Sequence, residues 1–72
     1  MHPTLGIEIY MEEADRNNNS DACNMLGQIY ELGQLLPKDP QKAMMYYKKS
    51  NDSRNPYGTY LYGRGFERGL LR

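Results

Sequence analysis

Apolar residues recur along the chain in sets spaced for helices. Ile7, Tyr10, Met11 and Ala14 fall at i, i+3, i+4 and i+7, one face of a 3.6-residue helix. Ala22, Met25, Leu26, Ile29 and Tyr30 make a second stripe, and Ala43, Tyr46, Tyr47 and Ser50 a third. Tyr57, Tyr60, Leu61, Tyr62 and Phe66 make a fourth, broken by Gly58, Gly63 and Gly65. The punctuation agrees with the stripes. Thr4 is the expected N-cap of the first helix, and Asn17–Asn18–Asn19 marks its exit. The second helix starts near Ser20 or Asp21, and Gly33 stands where a helix ends in a left-handed residue. Asp39–Pro40 and Asn55–Pro56 each pair a capping side chain with a proline suited to the first helical position. The pattern predicts four helices near 4–17, 20–33, 40–51 and 56–67. The fourth is expected to be the loosest, because each interior glycine costs about 1 kcal/mol against alanine.

The stripes repeat. An offset of 36 residues lays Ile7, Tyr10, Met11 and Ala14 on Ala43, Tyr46, Tyr47 and Ser50. It lays Leu26, Gly27, Tyr30 and Gly33 on Tyr62, Gly63, Phe66 and Gly69, with Asn19 on Asn55 and Glu31 on Glu67. Gly65 then stands opposite Ile29, which predicts a missing apolar contact in the fourth helix. The 72 residues hold two turns of one repeat. A period near this length indicates stacked helix pairs, each burying its apolar face against the next.

Composition sharpens this reading. One small domain is the most that 72 residues can form, with little core and, with Cys23 alone, no disulfide to staple it. Formal net charge is zero, yet the charge is segregated. Residues 1–36 hold six acids and one base, net −5, and residues 37–72 hold three acids and eight bases, net +5. Such a field bears on association rather than on fold. The acidic first twenty residues do not read as a secretory signal, and no apolar run approaches the roughly 20 residues of a membrane span. The expected setting is intracellular, cytoplasmic and reducing, with no membrane contact.

Two segments carry a recognisable pattern. Ala22-x-x-x-Leu26-Gly27-x-x-Tyr30-x-x-Gly33 is followed by Asp39-x-x-Lys42-Ala43-x-x-Tyr46-Tyr47-Lys48-Lys49-Ser50. Together they resemble the Sel-one-like repeat (SLR), a relative of the tetratricopeptide repeat (TPR). The resemblance covers a full repeat over 20–54, a preceding half repeat over 5–18 and a following half repeat over 55–69. Ser50 replaces the family's usual alanine, and Gly58 and Tyr62 replace the alanine and leucine of the last half repeat. The resemblance implies an all-α, right-handed helical-repeat solenoid fragment of antiparallel helix pairs. It also implies a scaffold or adaptor that docks a peptide or another subunit, without enzymatic activity or cofactor.

Within the pattern, small Ala22 and Ala43 allow close helix approach, and Gly27 lets a neighbouring helix cross it. Tyr30, Tyr46 and Tyr47 fill the space between layers, and their hydroxyls need polar partners. Gly33 closes its helix.

Chemical readings find little support. Gly63-x-Gly65-x-x-x-Gly69 lacks both the spacing and the preceding strand of a dinucleotide loop. His2 and Cys23 make no recognised zinc spacing, and Cys23 has no nearby histidine to activate it. Glu12 and Glu13 are sequence neighbours and point apart on a helix, so they form no acid–base pair. Tyr57 and Tyr60 with Arg64, Arg68 and Arg72 make a basic aromatic end. Tyr57, Tyr60, Arg64 and Arg68 are the candidate partner-binding set, and this end supports the alternative of a small RNA-associated subunit. Nucleic acid is the weaker reading, because the remaining tyrosines are claimed by packing. Opposite charges and unpaired apolar faces at the two ends predict end-to-end self-association.

Overall fold

A computed structural model describes residues 3–71, with side chains from residue 6 onward. His2 and Arg72 lie outside the described residues. Four helices follow in order: α1 (Pro3–Asp15), α2 (Ser20–Leu32), α3 (Pro40–Asp52) and α4 (Pro56–Glu67). No strand occurs among the described residues. The helices pack in sequence, α1 on α2, α2 on α3 and α3 on α4, and α4 also reaches back to α2. This is a helical-repeat fold.

The 36-residue offset is written into the backbone. Asn19 caps α2 by accepting from the amides of Asp21 and Ala22 at 3.0 and 3.2 Å. Asn55 caps α4 in the same way, accepting from Tyr57 and Gly58 at 3.0 and 3.2 Å. Asn18 and Arg54, one residue before each cap, both take a positive φ, 51° and 62°. Gly33 and Gly69 both take φ 70°, the left-handed conformation in which glycine carries no Cβ penalty. Asp39 caps α3 through the Lys42 amide at 3.1 Å, with Pro40 at the first helical position. Thr4 lies inside α1, which begins a residue earlier than expected, at Pro3.

The core runs through the middle of the stack. Ala14, Leu26, Ala43, Tyr47 and Leu61 are fully buried, and Ala22, Tyr30 and Tyr46 nearly so. Gly27 is buried because the Tyr47 ring lies directly on it, where any Cβ would collide with the ring carbons. Tyr30 and Tyr46 stack with ring centroids 6.0 Å apart and planes 4° apart. The hydroxyls find partners: Tyr47 donates to Glu31 at 2.6 Å, and Tyr46 to Asp15 of α1 at 3.3 Å.

Two glycines of α4 serve its packing. Gly58 and Gly65 are buried, and each marks a close approach to α3. A Cβ on Gly58 would strike Ser50, and one on Gly65 would strike the Met44 sulfur. The contact missing opposite Ile29 is supplied by Met44, which is 2% exposed and fills the space that the absent side chain leaves. Ser50 in place of alanine fits the same logic, since its neighbour Gly58 is smaller by a methyl group. Among the α4 glycines, Gly63 is the one with open space around it.

Candidate functional site

The first turns of α2 and α4 are tied together by one side chain. While its amide oxygen caps α4, the Asn55 amide nitrogen donates to Ser20 Oγ at 2.8 Å and Asp21 Oδ1 at 2.9 Å. This link sets two helices of the same repeat position side by side. Their outward surfaces form one continuous face.

A groove of about 280 Å³ runs along that face, lined by Gln28, Glu31, Leu32, Tyr57, Arg64 and Arg68. At its floor lies Glu31, only 6% exposed. Three groups from two other helices converge on its carboxylate. Tyr47 of α3 and Arg64 Nη2 reach Oε1 at 2.6 and 2.8 Å, and Arg68 Nη1, beyond the end of α4, reaches Oε2 at 3.1 Å. Burial alone disfavours a charged carboxylate. The hydrogen bonds from Tyr47 and Arg64, the Arg64 charge and the bond from Arg68 outweigh it and hold Glu31 below the ordinary glutamate range.

Leu32 and Tyr57 supply the apolar surface of a groove whose other lining residues are polar or charged. Tyr57 and Tyr60 stack one helical turn apart, centroids 6.0 Å and planes 14° apart. The Arg64 guanidinium lies 5.8 Å from the Tyr60 ring centroid, and Gln28 Nε2 donates to the Tyr57 hydroxyl at 2.9 Å. Leu32, Tyr57 and Tyr60 are each more than half exposed. Two guanidiniums against one carboxylate leave the groove one positive charge in excess. Such a surface offers stacking, hydrogen bonding and attraction for a carboxylate; it holds no nucleophile or acid–base pair. Cys23 is buried in the core, and burial, only partly offset by Lys49, pushes its thiol pKa up.

The sequence-derived set is brought together in part. Tyr57, Arg64 and Arg68 line the groove, and Tyr60 stands beside it against Tyr57 and Arg64. The arginines, read from the sequence as a free basic end, are ion-paired to Glu31. Sequence reasoning missed Glu31, Gln28 and Leu32. A signal for Glu31 was present: it recurs at the offset as Glu67, and it lies one turn beyond Gly27, beneath the ring that crosses there.

The architecture defines a helical-repeat protein of the TPR type, and comparison with known proteins identifies the branch. The Sel1 repeat family matches residues 20–55. The chain belongs to the Sel1 repeat family, whose repeats generally mediate protein–protein interaction. It is similar to the alginate biosynthesis protein AlgK of Azotobacter vinelandii, 43% identical over 47 residues, which is 65% of this chain and 10% of that protein. The chain thus spans about a tenth of that relative's length. No solved structure gives a significant match. No described helix is long and apolar enough to cross a membrane.

Proposed function

We propose that this chain is a non-catalytic scaffold or adaptor module that docks a peptide or a subunit in the groove between α2 and α4. One observation carries the reading. Leu32, Tyr57 and Tyr60 are left out of the core by the packing that buries Tyr30, Tyr46 and Tyr47, and they converge on one face beside a paired arginine cluster. Large aromatic side chains with few rotors, set around fixed charge, are the composition of interface anchors. The groove suits an extended segment bearing an apolar side chain for Leu32 and Tyr60 and a carboxylate for the excess positive charge.

The groove keeps a single positive charge in excess after both arginines pair with Glu31, enough for one carboxylate but little for the row of phosphates along an RNA strand, which weighs against the RNA-subunit alternative. Recovery of partners from the native source by wild-type chain and by Tyr60→Ser and Leu32→Ser variants tests the choice. Groove docking predicts a protein partner retained in high salt and lost with either variant. A steeply salt-dependent, nuclease-sensitive partner indifferent to Leu32→Ser selects the RNA reading instead.

A further inference from the structure

Residues 36 apart share helical register, yet several pairs differ sharply in burial. Gly27 is buried under the Tyr47 ring, whereas its counterpart Gly63 is exposed with nothing against it. Tyr30 is 7% exposed and stacked on Tyr46; its counterpart Phe66 is 52% exposed. Leu26 is wholly buried, and its counterpart Tyr62 is half-buried. All three differences lie on the face of α4 that corresponds to the face of α2 covered by α3. The buried positions of α4 are Gly58, Leu61 and Gly65, of which Gly58 and Gly65 lie directly against α3. This face of α4 is therefore covered only in part: Gly63 and Phe66 are exposed, Tyr62 packs partly on the core and edge-on against Phe66, and the face borders a groove of about 290 Å³ that includes Met44, Met45 and Tyr62.

The complementary surface is present on the same molecule. α1 corresponds in register to α3. Ile7 and Ala14, which match Ala43 and Ser50, are buried against the rest of the chain. Tyr10 and Met11, which match Tyr46 and Tyr47, are buried less completely: Tyr10 is 39% exposed, and Met11, packed partly against the core, is half-buried. The less covered half of α1 is the half that α3 uses to cover α2.

We infer that the partly covered face of α4 takes α1 of a second copy of this chain, so that α4 and the incoming α1 form a composite repeat and copies stack end to end. In register, Met11 of the second copy lies on Gly63 as Tyr47 lies on Gly27, and its Tyr10 meets Phe66 as Tyr46 meets Tyr30. The polar contacts along the junction have counterparts. Within the chain, Tyr46 donates to Asp15, and Lys49 lies 3.9 Å from the same carboxylate. At the junction the matching residues are Tyr10 and Glu13 of the second copy and Asn51 of the first. Asn51 offers an amide oxygen to the hydroxyl and an amide nitrogen to the carboxylate. Charge favours this occupant over an arbitrary helix, since the half containing α1 is net −5 and the half containing α4 is net +5. The contact is heterologous and does not close by two-fold symmetry, so it gives open stacks. It uses a different face from the peptide groove.

Sedimentation of the 72-residue chain from micromolar to near-millimolar concentration is the test, with two variants that each disable one end. Gly63→Leu fills open space with a strong helix former, so it abolishes stacking while leaving the monomer at least as helical by circular dichroism. Tyr10→Glu places a charge on an exposed position of α1 and disables the other end. Each variant alone is expected to sediment as a monomer, wild type as a concentration-dependent ladder that weakens with salt. The mixed variants are expected to form a one-to-one dimer and nothing larger, because one live end of each remains. A folded wild type that stays monomeric assigns the face to another occupant and overturns the inference. So does Gly63→Leu associating like wild type, or a mixture that forms no dimer.

Discussion

Tyr47 donates its phenolic hydrogen bond to Glu31 at 2.6 Å, joining α3 to α2 beneath the groove between α2 and α4. The same ring lies directly against Gly27, one turn before Glu31. One tyrosine thus fixes the distance between the helices of the repeat and orients the carboxylate that anchors Arg64 and Arg68. Core packing and groove architecture are consequently one construction, and a change at either residue is felt in both.

Removing either partner weakens the fold. Tyr47→Phe and Glu31→Gln are each expected to cost about 1–3 kcal/mol, the range for a hydrogen bond to a charged group. Glu31 also makes stability depend on pH. Its carboxyl is held below the ordinary value in the folded chain, so the unfolded chain binds the proton more readily. The contribution is complete above about pH 4.3, the unperturbed glutamate value, and is lost as pH falls through the lower folded value. Denaturation midpoints measured between pH 2 and 7, on the order of the carboxylate range, should show a shallower acid limb for Glu31→Gln than for wild type.

Gly27→Ala is expected to destabilise by about 1–3 kcal/mol, the cost of overpacking a core. The added methyl meets the Tyr47 ring, which is wholly buried and tethered by its hydroxyl, so it cannot swing away. Helix propensity favours alanine by about 1 kcal/mol and opposes the loss without cancelling it. Chemical denaturation of the single variant decides the sign.

The helices were legible because their signals are local. Asp39–Pro40, Asn55–Pro56 and Gly33 act within one turn, and the apolar stripes need only a 3.6-residue period. The family could be read for the same reason, as its pattern places small and aromatic residues at fixed spacing. The groove was half legible. Tyr57, Tyr60, Arg64 and Arg68 follow from helical spacing on α4, but their engagement with Glu31 is a contact between residues more than thirty positions apart, which no periodicity encodes. The role of Gly58 and Gly65 was hidden likewise. Whether a glycine loosens a helix or admits a neighbour depends on what stands opposite, and here Ser50 and Met44 stand there.

At alkaline pH, Tyr46 and Tyr47 should ionise late. Burial, followed by the charge of Asp15, pushes Tyr46 up to about 12. Burial and the Glu31 hydrogen bond push Tyr47 up as well. Both phenols are raised above their unfolded value near 10, so their contribution to stability is full below about pH 10 and is lost as pH rises through the folded values. A spectrophotometric titration should show a late, unfolding-linked group that includes Tyr46 and Tyr47. Tyr46→Phe should remove one phenol from the late group alone.

The three glycines of α4 should respond to alanine in a fixed order. Gly58→Ala is expected to be destabilising by about 1–3 kcal/mol, because its methyl meets Ser50 Cβ and the Ser50 backbone carbon, which lies 2.9 Å from the added atom and cannot yield without moving α3. Gly65→Ala meets the sulfur of a flexible methionine, so repacking of Met44 offsets much of the clash and the net change stays near zero. Gly63→Ala meets nothing and gains helix propensity, so the dilute monomer should be stabilised by about 1 kcal/mol. Propensity alone would make all three substitutions stabilising by similar amounts. Denaturation midpoints measured at a concentration where wild type is monomeric separate the two accounts, and equal gains at all three positions would refute the close approach of α3 and α4.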